Sequence, residues 1–185
     1  MEPMTEKYNW KQLLPYAGLP VILAAVTLFT KAKLETFELL LQGVLIFFGY
    51  LAAVGDIRNK LVPNSLVGAM LCAWIFVMVP QLFLRTEVAL YWLLNGLIGF
   101  LLCGIVFLVV YLVSRKGLGG GDVKFMAVAG LYLGAGLVMP AMLYGSVLSA
   151  LACGILILFK KIDKKGAVPL IPFLYVGILL TMFIR

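Results

Sequence analysis

Residues 117–124 read Gly-Leu-Gly-Gly-Gly-Asp-Val-Lys, a glycine-rich stretch that brings charged residues to the edge of apolar sequence. Glycine has no side chain, so such a stretch can adopt positive φ and lets another chain's backbone come close. Asp122 falls where a new apolar helix is predicted to begin, at or near its N-cap, where a carboxylate accepts helix-end N–H groups. We expect a carboxylate in this position to lie near a second polar group. The best candidate is Asp56, at the end of an earlier apolar run.

The composition indicates a protein whose solvent is the lipid bilayer. Of the 185 residues, 64% are hydrophobic and only 12% are charged, which is more apolar sequence than a soluble domain of this size can bury. The predicted fold class is all-α, a polytopic bundle of transmembrane helices. The net charge of +7 comes from basic residues scattered among short connectors. It therefore indicates membrane topology, and no nucleic acid partner is expected.

Several kinds of chemistry are excluded by residue type. The chain has no histidine, which excludes Ser-His-Asp and Cys-His catalysis and histidine-ligated metals. Cys72, Cys103 and Cys153 each lie alone in an apolar run, so we expect neither a zinc site nor a disulfide framework and interpret them as small hydrophobic residues. No metal and no cofactor is expected. The first apolar run lacks a convincing cleavage site, so no cleavable signal peptide is expected either.

Seven apolar segments are predicted from the rule that a spanning helix needs about 20 mostly apolar residues. The stretch 123–159 is too long for one span, and the Gly-Ala-Gly run at 134–136 together with Pro140 is predicted to divide it. The segments are 13–30, 37–55, 64–84, 88–114, 123–133, 137–159 and 167–184. The first is an extra helix in an N-terminal segment of residues 1–36, and residues 37–185 are expected to form one core of about six helices.

Small and polar residues inside the segments are predicted to serve helix packing. Glycines let helices approach closely, and those assigned this role include Gly96, Gly99, Gly104 and Gly145. Three polar residues are predicted to be interhelical hydrogen-bond partners or interface residues: Gln42, Gln81 and Asn95.

The connector charges predict an orientation. Lys and Arg concentrate in the connectors that follow the second, fourth and sixth segments, and by the positive-inside rule these face the cytoplasm. This places the protein in the plasma membrane with its N-terminus in the cytoplasm and Arg185 outside. Asp56 and Asp122 then lie on the same, cytoplasmic, side.

Two carboxylates at this boundary suggest acid–base hydrolysis. A carboxylate near the hydrocarbon is unfavourable unless it faces a polar cavity, so its presence often marks function. Two such groups brought together titrate as a unit, and one can activate water while the other protonates a substrate carbonyl. Local alternatives remain open: Asp56 could be a loop residue paired with Arg58 or Lys60, and Asp122 could be an ordinary N-cap.

Three motifs resemble those of the type IV prepilin peptidases, a family of membrane aspartic peptidases. Residues 119–122, Gly-Gly-Gly-Asp, fit the Gly-x-Gly-Asp motif, and the Val-Lys that follows matches the family's form. Residues 56–64, Asp-Ile-Arg-Asn-Lys-Leu-Val-Pro-Asn, look like the family's first catalytic segment. Residues 168–173, Val-Pro-Leu-Ile-Pro-Phe, resemble the proline-rich start of its last helix. The match runs from about residue 37 to the C-terminus and preserves motif order.

The resemblance implies that Asp56 and Asp122 are the catalytic pair of a membrane-embedded aspartic endopeptidase. Its substrates would be pilin-like precursors, whose short basic leader is cut at the cytoplasmic face just before the hydrophobic helix. Gly119 and Gly121 are then expected to let the precursor's backbone approach Asp122. Lys124 is expected to orient Asp122 or hold the loop, or else to snorkel to the interface with no catalytic part.

The chain also departs from the family's longer pattern. Many bacterial members carry a large cytoplasmic insertion with paired Cys-x-x-Cys motifs and methylate the new N-terminus, and the cysteines here do not match that insertion. The resemblance therefore implies peptidase activity without N-methyltransferase activity and without S-adenosylmethionine. In this the chain is similar to the short-form enzymes of the tight-adherence (Flp) pilus systems and to the archaeal preflagellin peptidases.

Three other functions compete with this interpretation. Intramembrane proteases of the presenilin or signal-peptide-peptidase type share Gly-x-Gly-Asp, but they have Tyr-Asp and Pro-Ala-Leu where this chain has Gly55-Asp56 and Val-Pro-Leu at 168–170. An ion-coupled transporter could use the two carboxylates as its ion site, although such sites lie near the bilayer midplane. A purely structural membrane subunit leaves the triple glycine unexplained.

Overall fold

The computed structural model describes residues 18–30, 35–114, 118–159 and 169–184, and within these ranges all regular structure is helical. Four of the helices are long and apolar enough to cross a membrane, so the predicted all-α, multi-pass membrane fold is confirmed. The helices are α1 (Gly18–Thr30), α2 (Thr36–Asn59), α3 (Asn64–Leu84), α4 (Thr86–Val113), α5 (Gly120–Leu158) and α6 (Ile171–Ile184). Residues 13–17, 167 and 168 of the predicted segments lie outside the described ranges, and the division at residue 36 stays a prediction.

The break predicted within residues 123–159 is confirmed at Gly134. This residue has φ 66° and ψ 175°, a non-helical conformation that separates residues 120–133 of α5 from residues 135–158. This combination of φ and ψ is essentially confined to glycine. Pro140, which was expected to help divide the stretch, instead lies inside the second half of α5. The direction of the chain therefore changes at the glycine and not at the proline.

Helix α2 ends later than predicted, and the difference decides where Asp56 lies. The segment was expected to stop at residue 55, but the helix continues to Asn59 and ends where Lys60 adopts the left-handed conformation with φ 51°. The Lys60 N–H donates to the Asp56 carbonyl at 2.8 Å. The residue that precedes Pro63 is disfavoured in helical conformation, so the helix ends before it. Asp56 consequently lies in the last helical turn and not in a loop.

The first half of α5 is the central helix of the bundle. Residues 125–134 are all buried, and α4 packs along this half in the antiparallel direction. Gly96 faces Leu131, and a Cβ atom on it would lie 2.7 Å from the Leu131 carbonyl oxygen. Gly99 faces Gly130 in the same manner. Close packing at these two predicted glycines is confirmed, because any side chain there would meet the main chain of the neighbouring helix.

The second half of α5 returns toward the end of the bundle where α5 begins. It runs antiparallel to α6, since Gly145 faces Leu174 while Gly177 faces Ala141, which also confirms the packing role predicted for Gly145.

Two of the polar residues assigned to packing lie inside the bundle. The Asn95 Oδ1 accepts a hydrogen bond from the Ala135 N–H at 3.1 Å, directly after the turn at Gly134, so its interhelical hydrogen bond is confirmed. Gln42 is buried, and its Oε1 has no hydrogen-bond partner among the described residues.

The outer surface of the bundle suits a bilayer. Helices α3 and α4 expose large apolar side chains along their length, among them Phe76, Phe83, Leu101 and Ile105. Such a surface is unfavourable in water but matches lipid tails. The start of α2 and the connector between α3 and α4 are joined by a salt bridge between Arg85 and Glu35 at 3.2 Å.

Candidate active site

Four segments converge at one end of the bundle: the last turn of α2, the α2–α3 connector, the start of α5 and the start of α6. Three contacts hold them together. Asp56 of α2 is hydrogen-bonded to Ile171 of α6, Gly121 of α5 packs against Val62 of the connector, and Lys124 of α5 is hydrogen-bonded to Asn64, the first residue of α3. The predicted site residues Asp56, Asp122, Gly119, Gly121 and Lys124 therefore all belong to one region.

Asp56 is a buried carboxylate, with only 4% of its surface exposed. Its Oδ2 accepts the main-chain N–H of Ile171 at 3.0 Å, and the N–H of Leu170 is also directed at the carboxylate. Ile171 is the first residue of α6, so its N–H has no acceptor within its own helix. Asp56 thus caps α6 from a different helix.

Asp122 is half-buried and occupies the third position of α5, close to the predicted N-cap but not at it. Its Oδ2 accepts the Gly119 N–H at 3.2 Å, while its own N–H donates to the Gly119 carbonyl at 3.1 Å. The first of these bonds is one half of a capping box, in which the side chain of the third helical residue reaches back to the N-cap N–H. The carboxylate is thereby held at the helix end that favours negative charge.

The two carboxyl groups are close enough for the charge on Asp56 to act on Asp122. Both lie at helix ends, Asp56 three residues before the end of α2 and Asp122 at the third residue of α5. One carboxylate is shielded and one is half-exposed, an arrangement that can hold a water molecule and exchange a proton with it.

The glycines of the stretch 119–121 differ in what surrounds them. A Cβ atom on Gly119 would lie 3.2 Å from the Asp122 Oδ2, and one on Gly121 would lie 2.9 Å from the Val62 carbonyl oxygen. Gly120 is exposed, and a Cβ atom on it would meet nothing within 4 Å. The close approach that the sequence indicated at Gly121 is thus made by another part of this chain.

Lys124 connects the two motifs that carry the aspartates. Its Nζ donates to the Asn64 Oδ1 at 3.1 Å, and both side chains are exposed. Of the roles considered for Lys124, holding the loop is the one that this hydrogen bond supports. Roles for Val62, Asn64 and Ile171 were not predicted from the sequence, although the first two stand next to Pro63 in the stretch that follows Asp56.

Metal-ligating residues are sparse around the pair. Within the part of the chain that the structure describes, no three residues of the types His, Cys, Asp and Glu stand close enough to hold a metal ion. The free cysteines lie on three different helices: Cys72 on α3, Cys103 on α4 and Cys153 on α5.

Comparisons with known proteins agree with one another. A family model described as the type IV leader peptidase family matches residues 43–158, a range that includes both aspartates. A prepilin leader peptidase/N-methyltransferase of Xanthomonas campestris pv. campestris is 25% identical over 138 residues, covering 73% of this chain and 47% of the relative. A protein with the same name from Bacillus subtilis is 27% identical over 162 residues, covering 86% of this chain and 62% of the relative. The chain thus spans between about half and under two thirds of these relatives' length. No solved structure matches it.

Proposed function

The chain belongs to the type IV leader peptidase family, and on that premise we propose that it is a membrane-embedded aspartic endopeptidase. Its substrates are pilin-like precursors, from which it removes a short basic leader. Asp56 and Asp122 are its catalytic residues. The observation that carries the proposal is that these two carboxylates, 66 positions apart in a chain without histidine, lie within electrostatic reach at one end of the bundle.

The reaction needs only water and the two carboxyl groups. One carboxylate takes a proton from the water as its oxygen attacks the scissile carbonyl carbon, and the other carboxyl group gives its proton to the carbonyl oxygen. The resulting tetrahedral intermediate breaks at the carbon–nitrogen bond, and the leaving amine takes up the proton that the first group had received. The second group recovers its proton from a hydroxyl of the intermediate as the new carboxyl group forms. The carboxylates return to their starting states, and no metal or cofactor takes part.

The precursor is proposed to reach the pair from the exposed side of Asp122. The main chain at Gly119 is open there, so an extended peptide can approach the carboxylate without meeting a side chain. Gly121 allows the start of α5 to pack against Val62. Lys124 lies at the exposed edge of the site, where it is hydrogen-bonded to Asn64.

The site is proposed to face the cytoplasm, with the protein in the plasma membrane and its N-terminus on the same side. The support is the charge of the connectors. Arg58 and Lys60 lie next to Asp56, and the connectors that follow α4 and α5 carry six of the remaining 13 Lys and Arg residues. Connectors rich in these residues are retained on the cytoplasmic side, which is where a precursor's leader is accessible before its helix crosses the membrane.

We further propose that the cleaved product is released without methylation. This differs from the two relatives, whose names include an N-methyltransferase activity. The chain carries no pair of cysteines in Cys-x-x-Cys spacing. Incubation of the purified protein with a precursor and labelled S-adenosylmethionine should yield cleaved but unlabelled product. Incorporation of label would contradict this part of the proposal.

The decisive experiment is cleavage of a co-expressed pilin-like precursor, measured as a shift in gel mobility. Wild type should process the precursor, while Asp56→Asn and Asp122→Asn should not, at equal amounts of protein in the membrane fraction. Glu87→Gln is the matched control, because it removes an exposed carboxylate at the start of α4, and it should process normally. Full activity in either aspartate variant would rule out the two-carboxylate mechanism.

A further inference from the structure

Asp56 is hydrogen-bonded to α6, a helix that carries neither of the two aspartates. Its Oδ2 accepts the N–H of Ile171 at 3.0 Å, across a separation of 115 residues. Asp56 is 4% exposed and Ile171 is fully buried. A hydrogen bond shielded from water in this way is stronger than an exposed one, and it restricts the rotation of the carboxylate that makes it.

The start of α6 is built to offer this donor. The Leu170 carbonyl accepts the N–H groups of Phe173 and Leu174 at 3.1 and 3.2 Å, so Ile171 is the first helical residue and its own N–H has no partner within the helix. The next residue is Pro172, which has no N–H. The Ile171 donor is therefore directed outward from the helix end, where a carboxylate is favoured.

Close packing fixes the position of that donor relative to α2 and α5. A Cβ atom on Gly177 would lie 2.5 Å from the Ala141 carbonyl oxygen, so α6 lies directly against the second half of α5. On the α2 side, a Cβ atom on Gly49 would lie 2.7 Å from the Tyr175 ring. Gly49 is two turns before Asp56 on the same face of α2. Helix α6 therefore cannot slide along its neighbours without overlap.

We propose that Ile171 is a positioning residue for the proposed peptidase: its main-chain N–H, beside that of Leu170, fixes the orientation in which the Asp56 carboxylate meets the attacking water. The catalytic use of this contact rests on the proposed function, whereas the contact itself does not. The side chain of Ile171 fills the core, but the positioning group is its N–H. A substitution that removes the N–H and keeps an apolar side chain is therefore the informative one.

Ile171→Pro makes that change, and its backbone is compatible because proline is well tolerated at the first position of a helix. Ile171→Val is the conservative variant, since it keeps the N–H and most of the side chain. With a purified precursor as substrate, Ile171→Pro should lower kcat about tenfold or more and leave KM within about threefold, as misplacement of a reacting group does. Ile171→Val should retain most of the wild-type kcat. Equal kcat in both variants, at matched thermal stability, would overturn the proposal.

A second measurement tests the contact without reference to cleavage. In protein labelled with 15N-isoleucine, the Ile171 resonance is identified by its loss in Ile171→Val, and its hydrogen exchange is followed. Asp56→Ala should accelerate exchange at Ile171 about tenfold or more and leave exchange at Ile178, in the middle of α6, unchanged. Unchanged exchange at Ile171 would overturn the proposal whatever the activity. If Asp56→Ala accelerates exchange at Ile171 but neither the wild type nor any variant cleaves a precursor, the proposed function fails. The contact is then only a cap of α6.

Discussion

The carbonyl oxygen of Val62 occupies the space that a side chain at residue 121 would need. A Cβ atom there would lie 2.9 Å from that oxygen and 3.2 Å from the Val62 Cβ. The contact joins the segment that follows Asp56 to the segment that carries Asp122. The second glycine of the Gly-x-Gly-Asp motif is thus explained by packing within the chain, and the first is explained by the Asp122 carboxylate that folds back over it.

Gly121→Ala should therefore be damaging, and Gly120→Ala should not. The added methyl group at position 121 must displace main chain, and overpacking of this kind destabilises by about 1–3 kcal/mol. The same methyl group at position 120 enters open space, and alanine is favoured over glycine in a helix by about 1 kcal/mol. Thermal unfolding in detergent and precursor cleavage should both fall for Gly121→Ala and stay near wild type for Gly120→Ala. Equal behaviour of the two variants would contradict the Val62 contact.

Lys124 and Asn64 should act as one unit, because a hydrogen bond joins their side chains. This bond is exposed, so its loss should cost no more than about 1 kcal/mol of stability, while activity falls because the two aspartate-bearing segments are less well held. Lys124→Met and Asn64→Ala should reduce kcat/KM by similar factors, and the double variant should be no worse than either single one. Effects that multiply in the double variant would show that the two residues act independently.

The close contact between α4 and the first half of α5 should make Gly99 intolerant of substitution. A Cβ atom at this position would meet the Gly130 carbonyl and would lie 2.8 Å from the Gly134 carbonyl carbon. Gly99→Ala should lower the unfolding temperature and the yield of folded protein, since small residues are what allow such helices to approach. Gly43→Ala on α2 is the matched control, because nothing lies within 4 Å of its Cβ position. If both variants unfold at the wild-type temperature, the α4–α5 contact is looser than described.

The turn at Gly134 should depend on Asn95. The Asn95 Oδ1 accepts the Ala135 N–H at the start of the second half of α5, so Asn95→Ala removes the equivalent of a helix cap, a change that typically costs about 1 kcal/mol. Gly134→Ala should cost more, because it adds strain at positive φ and places a methyl group 2.6 Å from the Asn95 side-chain nitrogen. Thermal unfolding of both single variants gives the comparison. A larger fall in unfolding temperature for Asn95→Ala than for Gly134→Ala would contradict this order of effects.

How much of this the sequence could predict depends on whether a feature is encoded in residue type. The bundle and the break at Gly134 follow from apolar length and glycine placement, and Asp56 and Asp122 stand out because a carboxylate close to the hydrocarbon is unfavourable unless it faces a polar cavity. The Ile171 contact was not predictable, because its donor is a main-chain N–H that almost every residue possesses. The last turn of α2 was missed because the polar residues after Gly55 resemble a loop, whereas the left-handed Lys60 ends the helix only at Asn59.

The half of α5 that carries Asp122 is too short to cross a bilayer by itself. Residues 120–133 rise about 21 Å along a helix axis, against a hydrocarbon thickness of about 30 Å. A segment of that length, ending in a turn whose polar groups need Asn95, cannot insert stably before its neighbours are present. The first half of α5 is therefore stable in a bilayer only as part of the assembled bundle, where it packs against α4. The position of Asp122 is then set by the packing of the whole bundle and not by the insertion of one spanning helix.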